Sequence, residues 1–195
     1  VPRYFARYLQ QNGVPVLVAD VSENNIKKAQ SEGLDTFQGD VLASGIRDEM
    51  DLTQVGRLVA MTSNSEINQL AMQRYEEEFG EESVYRIPSR RETELDDFDP
   101  EQNLLFAQKS DYLFLASLIR TNPTWSEQPL ESQEQFESLL KKEKNRQLPV
   151  FIKKESGRYE LVNTNENLIS KGDTLIALRQ DDADRTVSFD SGNNS

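Results

Sequence analysis

The chain contains no cysteine and no histidine. Without cysteine there is no disulfide framework, no thiol nucleophile and no thiolate metal site. Without histidine the commonest general base and the commonest transition-metal ligand are both missing. Most familiar hydrolase and dehydrogenase constellations are thereby excluded, and any catalysis would have to rest on Asp, Glu, Lys, Tyr, Ser or Thr. Long apolar runs are also absent: none approaches the roughly 20 residues that a membrane span requires, and no signal-peptide pattern is present. Positive charge is scarce. With 22 Lys and Arg against 34 Asp and Glu, the net charge is −12. Phosphates would be repelled, so nucleic acid is not an expected partner. The densest basic run, Lys141, Lys142, Lys144 and Arg146, is broken by Glu143 and reads as a solvated helix face.

What is present reads as one or two domains in 195 residues, with 36% hydrophobic residues, enough for a core diluted by polar segments. Phe5, Tyr8 and Leu9 stand at helical spacing before an Asn12-Gly13 stop. Residues 14–19 form an apolar run ending in Asp20, and Ser22 is a good N-cap for a helix carrying Ile26 and Ala29. A second short strand at Thr36-Phe37 closes on Gly39-Asp40, and 46–50 fits a short helix. A third strand at 58–61 leads through Thr62-Ser63-Asn64-Ser65 into a long helix, and a fourth at 84–87 stops at Pro88. Such alternation with short connections predicts an α/β fold, a Rossmann-like parallel sheet with flanking helices.

In such sheets ligands bind beyond the carboxyl ends of the strands. Asp20, Asp40 and Thr62 each follow an apolar strand directly. An acidic residue at the end of the second strand can accept hydrogen bonds from ribose hydroxyls. Each also has a plainer reading: Asp20 as a turn cap before Ser22, Asp40 as part of a Gly-Asp turn, Thr62 as part of a helix N-cap. The first strand is expected to be truncated. Val1-Pro2-Arg3 already lies at a helix start, and counting back from Asp20 puts the last glycine of a G-x-G-x-x-G turn near Pro2. A truncated phosphate loop and a degenerate one both remain open.

The stretches Val16-Leu17-Val18-Ala19-Asp20, Gly39-Asp40-Val41 and Leu58-Val59-Ala60-Met61-Thr62-Ser63-Asn64-Ser65-Glu66-Ile67-Asn68 resemble the RCK/TrkA-N family, the regulatory nucleotide-binding domains of potassium channels and cation/proton antiporters. The resemblance implies a non-catalytic module that binds NAD(H) or another adenine nucleotide. Asp20 and Val21 would lie at the ribose, Asp40 and Val41 near the adenine, and Thr62 and Ser63 on the phosphate and ribose side. Asn68 would be a helix residue facing the cleft; an ordinary polar residue on an amphipathic helix is the alternative. Arg3 would follow the glycine loop, where a cation can reach a phosphate; a solvated helix-end arginine is the alternative.

Beyond the fourth strand, Glu92, Glu94, Asp96, Asp97, Asp99 and Glu101 lack the spacing of a calcium loop and read as a solvated acidic loop, so no metal site is assigned. Residues 103–107 suggest an edge strand. Tyr112, Leu113, Leu115, Ala116, Leu118 and Ile119 make an apolar helix, which either packs into the core or forms a subunit interface, and a homodimer is expected. Trp125 falls in a polar connection. A helix over 133–144, a strand over 149–153, a hairpin partner over 159–162 and a Lys171-Gly172-Asp173 turn before a strand over 174–178 describe a small α+β subdomain. Its ending resembles the TrkA-C pattern. The expected organisation is a Rossmann-like domain over 1–122, a TrkA-C-like subdomain over 123–180 and a disordered tail over 181–195. The function this implies is a cytoplasmic regulatory domain attached to an inner-membrane cation transporter, as its soluble part or as a separate subunit. The alternatives are a nucleotide-free dimeric scaffold and an NAD-dependent dehydrogenase fragment.

Overall fold

A computed structural model describes residues 1–50, 52–53, 55–95, 102–106, 110–142, 147–164 and 167–180. The chain forms two compact units, Val1–Arg86 and Ile87–Ser195. It is a mixed α/β protein, with parallel strand pairs and helices in the first unit and an antiparallel sheet in the second.

The first unit runs α1 (Pro2–Gln11), β1 (Leu17–Asp20), α2 (Glu23–Ser31), β2 (Asp35–Gln38), α3 (Ile46–Glu49), β3 (Leu58–Ala60), α4 (Ser65–Phe79) and β4 (Val84–Arg86). Pro2 suits the first turn of α1, where its missing N–H costs nothing. Gly13, at φ 80°, follows the helix in the left-handed region that glycine enters without strain. β1 pairs in parallel with β2, and β3 in parallel with β4. In the dinucleotide-binding order 3-2-1-4-5-6, strands two and three are neighbours, as are four and five, with strand one between the pairs. The two pairs observed here match those neighbours.

Apolar packing binds these elements together. Ala6 of α1, Ala29 of α2 and Leu34 form a buried cluster with Val16 and Val18. A larger cluster joins both strand pairs: Met72 and Tyr75 of α4 and Val84 of β4 are buried with Met50, and Phe37 of β2, Leu58 of β3, Val41, Leu52 and Phe79 pack against them.

The second unit contains α5 (Arg90–Leu95), α6 (Tyr112–Arg120), β5 (Thr124–Pro129), α7 (Gln133–Lys142), β6 (Gln147–Lys153), β7 (Tyr159–Leu161) and β8 (Thr174–Arg179). Its sheet order is β5-β8-β6-β7, antiparallel throughout, with a bulge between Pro149 and Phe151. Leu130, Phe136 of α7, Ile152, Val162 and Leu175 form a buried cluster on one face.

Three local expectations change. Part of the acidic loop is helical, because Ser89 and Glu92 form a capping box: Ser89 N–H donates to Glu92 Oε2 at 2.7 Å and Glu92 N–H to Ser89 Oγ at 3.2 Å. Asp96, Asp97, Asp99 and Glu101 lie outside the described residues, as do 143–146 and the expected tail 181–195. In place of the edge strand at 103–107 there is isolated bridging, with Leu105 opposite Asn163, and Ala107 lies outside the described residues. Trp125 is in strand β5, opposite Leu178, with its ring stacked on Phe151 at 6.0 Å between centroids. One apolar residue among polar ones gave no alternation to read; β8 supplies the hydrogen bonds that make it a strand.

Candidate functional site

β1 ends in Asp20, and the chain turns at once into α2. The turn forms because the carboxylate folds back on it. Asp20 Oδ1 accepts from Ser22 N–H at 2.8 Å, and Oδ2 accepts from Asn25 Nδ2 at 2.9 Å. Ser22 Oγ in turn accepts from Asn25 N–H at 3.5 Å. A carboxylate before the first turn also opposes the positive end of the helix dipole. Each oxygen of Asp20 retains a lone pair. Val21, next in line, is 68% exposed.

Because β1 and β2 are parallel and in register to their ends, the residues beyond them meet at one edge. Asp20 pairs with Gln38, and Gly39 N–H donates to the Asp20 carbonyl at 3.2 Å. Asp40 is the next residue. Its Oδ1 accepts from Leu42 N–H at 2.9 Å, an Asx turn that directs the chain away. Gly39 lets the Phe37 ring lie close: a Cβ there would fall 2.5 Å from Phe37 Cε1 and 3.3 Å from Ile46 Cδ1, so a side chain would have to displace the ring. Residues 41–43 are tied to α4. Tyr75 Oη donates to the Val41 carbonyl at 3.0 Å, and Arg74 Nη2 to the Ala43 carbonyl at 2.9 Å.

At the end of β3, Thr62 is held by Asn68, which is 1% exposed on α4. Asn68 Oδ1 accepts from Thr62 N–H at 2.9 Å and from Thr62 Oγ1 at 2.8 Å, while Asn68 Nδ2 donates to the Thr62 carbonyl at 3.0 Å. The helix itself is capped by Asn64, whose Oδ1 accepts from Glu66 N–H at 3.0 Å and Ile67 N–H at 3.2 Å. Thr62 and Ser63 are exposed beside this cap.

Residues 1–95 match the model of the TrkA-N domain. This part of the chain is a TrkA-N domain. Among solved structures, one described as the crystal structure of the GsuK RCK domain is similar, at 12% identity and a TM-score of 0.38, covering 93% of this chain and 42% of that one. The chain therefore spans less than half the length of that structure. No curated protein matches.

Within the TrkA-N domain the residues expected from the sequence fall at three strand ends. Asp20, Val21, Asp40 and Val41 gather beyond β1 and β2, and Thr62 and Ser63 lie beyond β3. Arg3 stands apart from these contacts, its Nη1 paired with Glu32 Oε1 on the residue that ends α2. Asn68 was legible only as a cleft-facing helix residue; its burial and its clamp on Thr62 are new. Asn64, Arg74 and Tyr75 were not singled out. Asn64 had a signal, since Asn before a helical run is a strong N-cap, whereas Arg74 and Tyr75 act on carbonyls more than 30 residues away in sequence and had none. Among the described residues no group of three or more acidic side chains is arranged to hold a metal ion, and no helix is long and apolar enough to cross a membrane.

Proposed function

We propose that this chain is the regulatory part of a monovalent cation transporter, a potassium or sodium/proton antiporter or a potassium channel, on the cytoplasmic side of the inner membrane. In this reading an adenine nucleotide such as NAD(H) binds at the carboxyl edge of the parallel strands and gates transport, without chemistry on the nucleotide. The observation that carries it is the placement of Asp20, at the end of β1, and Asp40, two residues past the end of β2, at the same carboxyl edge of two paired parallel strands of a TrkA-N domain. Carboxylates with spare lone pairs fit the hydroxyls of a ribose and the amino group of an adenine. Gating requires the nucleotide to make different contacts in two states of the assembly. Residues 1–122 would form the nucleotide-binding domain with α6 as the dimerisation helix, and 123–180 a TrkA-C-like subdomain.

A nucleotide-free scaffold is the second reading, favoured by one observation: both Asp20 oxygens already accept hydrogen bonds from the turn they stabilise. Calorimetry separates the two. Charge-assisted hydrogen bonds are worth about 1.5–3 kcal/mol each, so Asp20→Ala should weaken ADP or NADH at least about tenfold. Asn25→Ala, which removes a competing donor from Oδ2, should leave affinity unchanged or raise it. Binding that is indifferent to Asp20→Ala removes Asp20 from the site, and no binding at millimolar nucleotide leaves the scaffold in front.

A further inference from the structure

Resting on that reading, we infer that Asn68 sets the hydrogen-bonding polarity of Thr62, so that Thr62 meets the nucleotide as an acceptor from a ribose hydroxyl and not as a donor to phosphate. A threonine hydroxyl has one proton and two lone pairs. The proton of Thr62 Oγ1 has its shortest acceptor in Asn68 Oδ1 at 2.8 Å, with the Asn64 carbonyl at 3.0 Å on the same side of the inventory. One lone pair receives Asn64 N–H at 3.1 Å. What remains is a single lone pair on an exposed side chain.

The orientation of the Asn68 amide leaves no second arrangement. Its two ends face the N–H and the C=O of the same residue, Thr62, at 2.9 and 3.0 Å. Turning the amide over would set donor against donor and acceptor against acceptor, in a side chain that is 1% exposed. Asn68 Oδ1 therefore always faces Thr62 Oγ1 as an acceptor, alongside the longer contact to the Asn64 carbonyl. The nearby donors that could otherwise take a phosphate, Glu66 N–H and Ile67 N–H, are occupied by Asn64 Oδ1. Asp20 and Asp40 are acceptors as well, so all three positions ask for donor groups on the ligand. Asn68 is thus a positioning residue: it touches no ligand, and acts by offering the proton of Thr62 a shorter acceptor than the Asn64 carbonyl does.

The test uses adenosine, AMP, ADP and the 2′- and 3′-deoxyadenosines as probes of the intact chain. Thr62→Val should weaken adenosine, AMP and ADP by the same factor, about three- to tenfold, and should leave one of the two deoxyadenosines unaffected. Asn68→Ala should show the same dependence on that hydroxyl, whereas a merely structural role would lower affinity for every probe alike; this variant supplies the comparison if Thr62→Val does not fold. In the free parent protein the Thr62 amide should exchange with solvent slowly, and at least about tenfold faster in Asn68→Ala. A loss confined to AMP and ADP, or a Thr62 amide that exchanges as fast as that of Ser63 in the parent, overturns this inference while leaving the nucleotide site standing. A parent chain that binds none of the probes overturns both.

Discussion

Lys154 Nζ lies 2.5 Å from Asp173 Oδ2, in a pair whose carboxylate side is 2% exposed and whose ammonium side is 16% exposed. Lys154 also donates to the Leu168 carbonyl at 2.7 Å, and Asp173 accepts from Ser170 N–H at 2.9 Å and Glu155 N–H at 3.2 Å. The pair thus pins the β6–β7 hairpin to the loop before β8. Leu130 N–H, donating to the Asp173 carbonyl at 2.8 Å, brings the segment before α7 to the same point. Removing one partner strands the other. Asp173→Ala should cost about 3 kcal/mol in equilibrium denaturation, and adding Lys154→Met should recover part of the loss. A cost under about 0.5 kcal/mol would show that the pair is not felt by the fold.

The same carboxylate makes part of the stability depend on pH. Burial alone would raise its pKa. The hydrogen bonds from Lys154, Ser170 N–H and Glu155 N–H, together with the Lys154 charge, outweigh burial and hold it below the ordinary aspartate value. A depressed folded-state pKa gives stability that is fully present above the unfolded value, about 3.9, and is lost as pH falls through the folded value. The melting temperature of the parent should therefore exceed that of Asp173→Asn near neutrality, and the gap should close below about pH 4. A gap that widens on acidification would contradict the sign.

Tyr75 is 1% exposed, and its hydroxyl reaches the Val41 carbonyl beside Asp40. Tyr75→Phe keeps the ring and removes the bond, so it should cost about 1 kcal/mol. Loosening should concentrate in the turn at 40–43, read as faster exchange of the Ala43 amide, which donates to the Asp40 carbonyl at 2.9 Å. Unchanged exchange at Ala43 would show that α4 does not hold this turn.

On α6, Leu115 and Leu118 are 0% exposed while Leu113 is 58% exposed. Leu115→Asp would therefore place a charge in the core of the second unit and unfold it, which says nothing about association. The informative variant for the proposed homodimer is Leu113→Asp. It should lower the dimer fraction in light scattering at micromolar concentration with little change in melting temperature. A parent chain that runs as a monomer would end the dimer proposal.

Much of the first unit could be read from the chain. Its strands are short apolar runs closed by turn residues, and its helices announce themselves at Ser22 and at Asn12-Gly13; these are local signals, set by backbone and side-chain chemistry within a few residues. Asp20, Asp40 and Thr62 were visible for the same reason, since strand ends are marked where apolar residues stop. β5 and α5 were not recovered in this way. β5 takes its hydrogen bonds from β8, about 50 residues further on, and the Ser89–Glu92 capping box was hidden among acidic neighbours.

The sequence by itself determined which residues stand at the strand ends and what charge they bring there. Only the tertiary structure decided what those residues have left to offer. Whether Thr62 can donate depends on an amide six residues away turned inward by helix α4, and the free capacity of Asp20 depends on how α2 starts. Hydrogen-bond inventory is a property of neighbours in space. No spacing rule carries it, because each donor and acceptor is spent once and the fold chooses where.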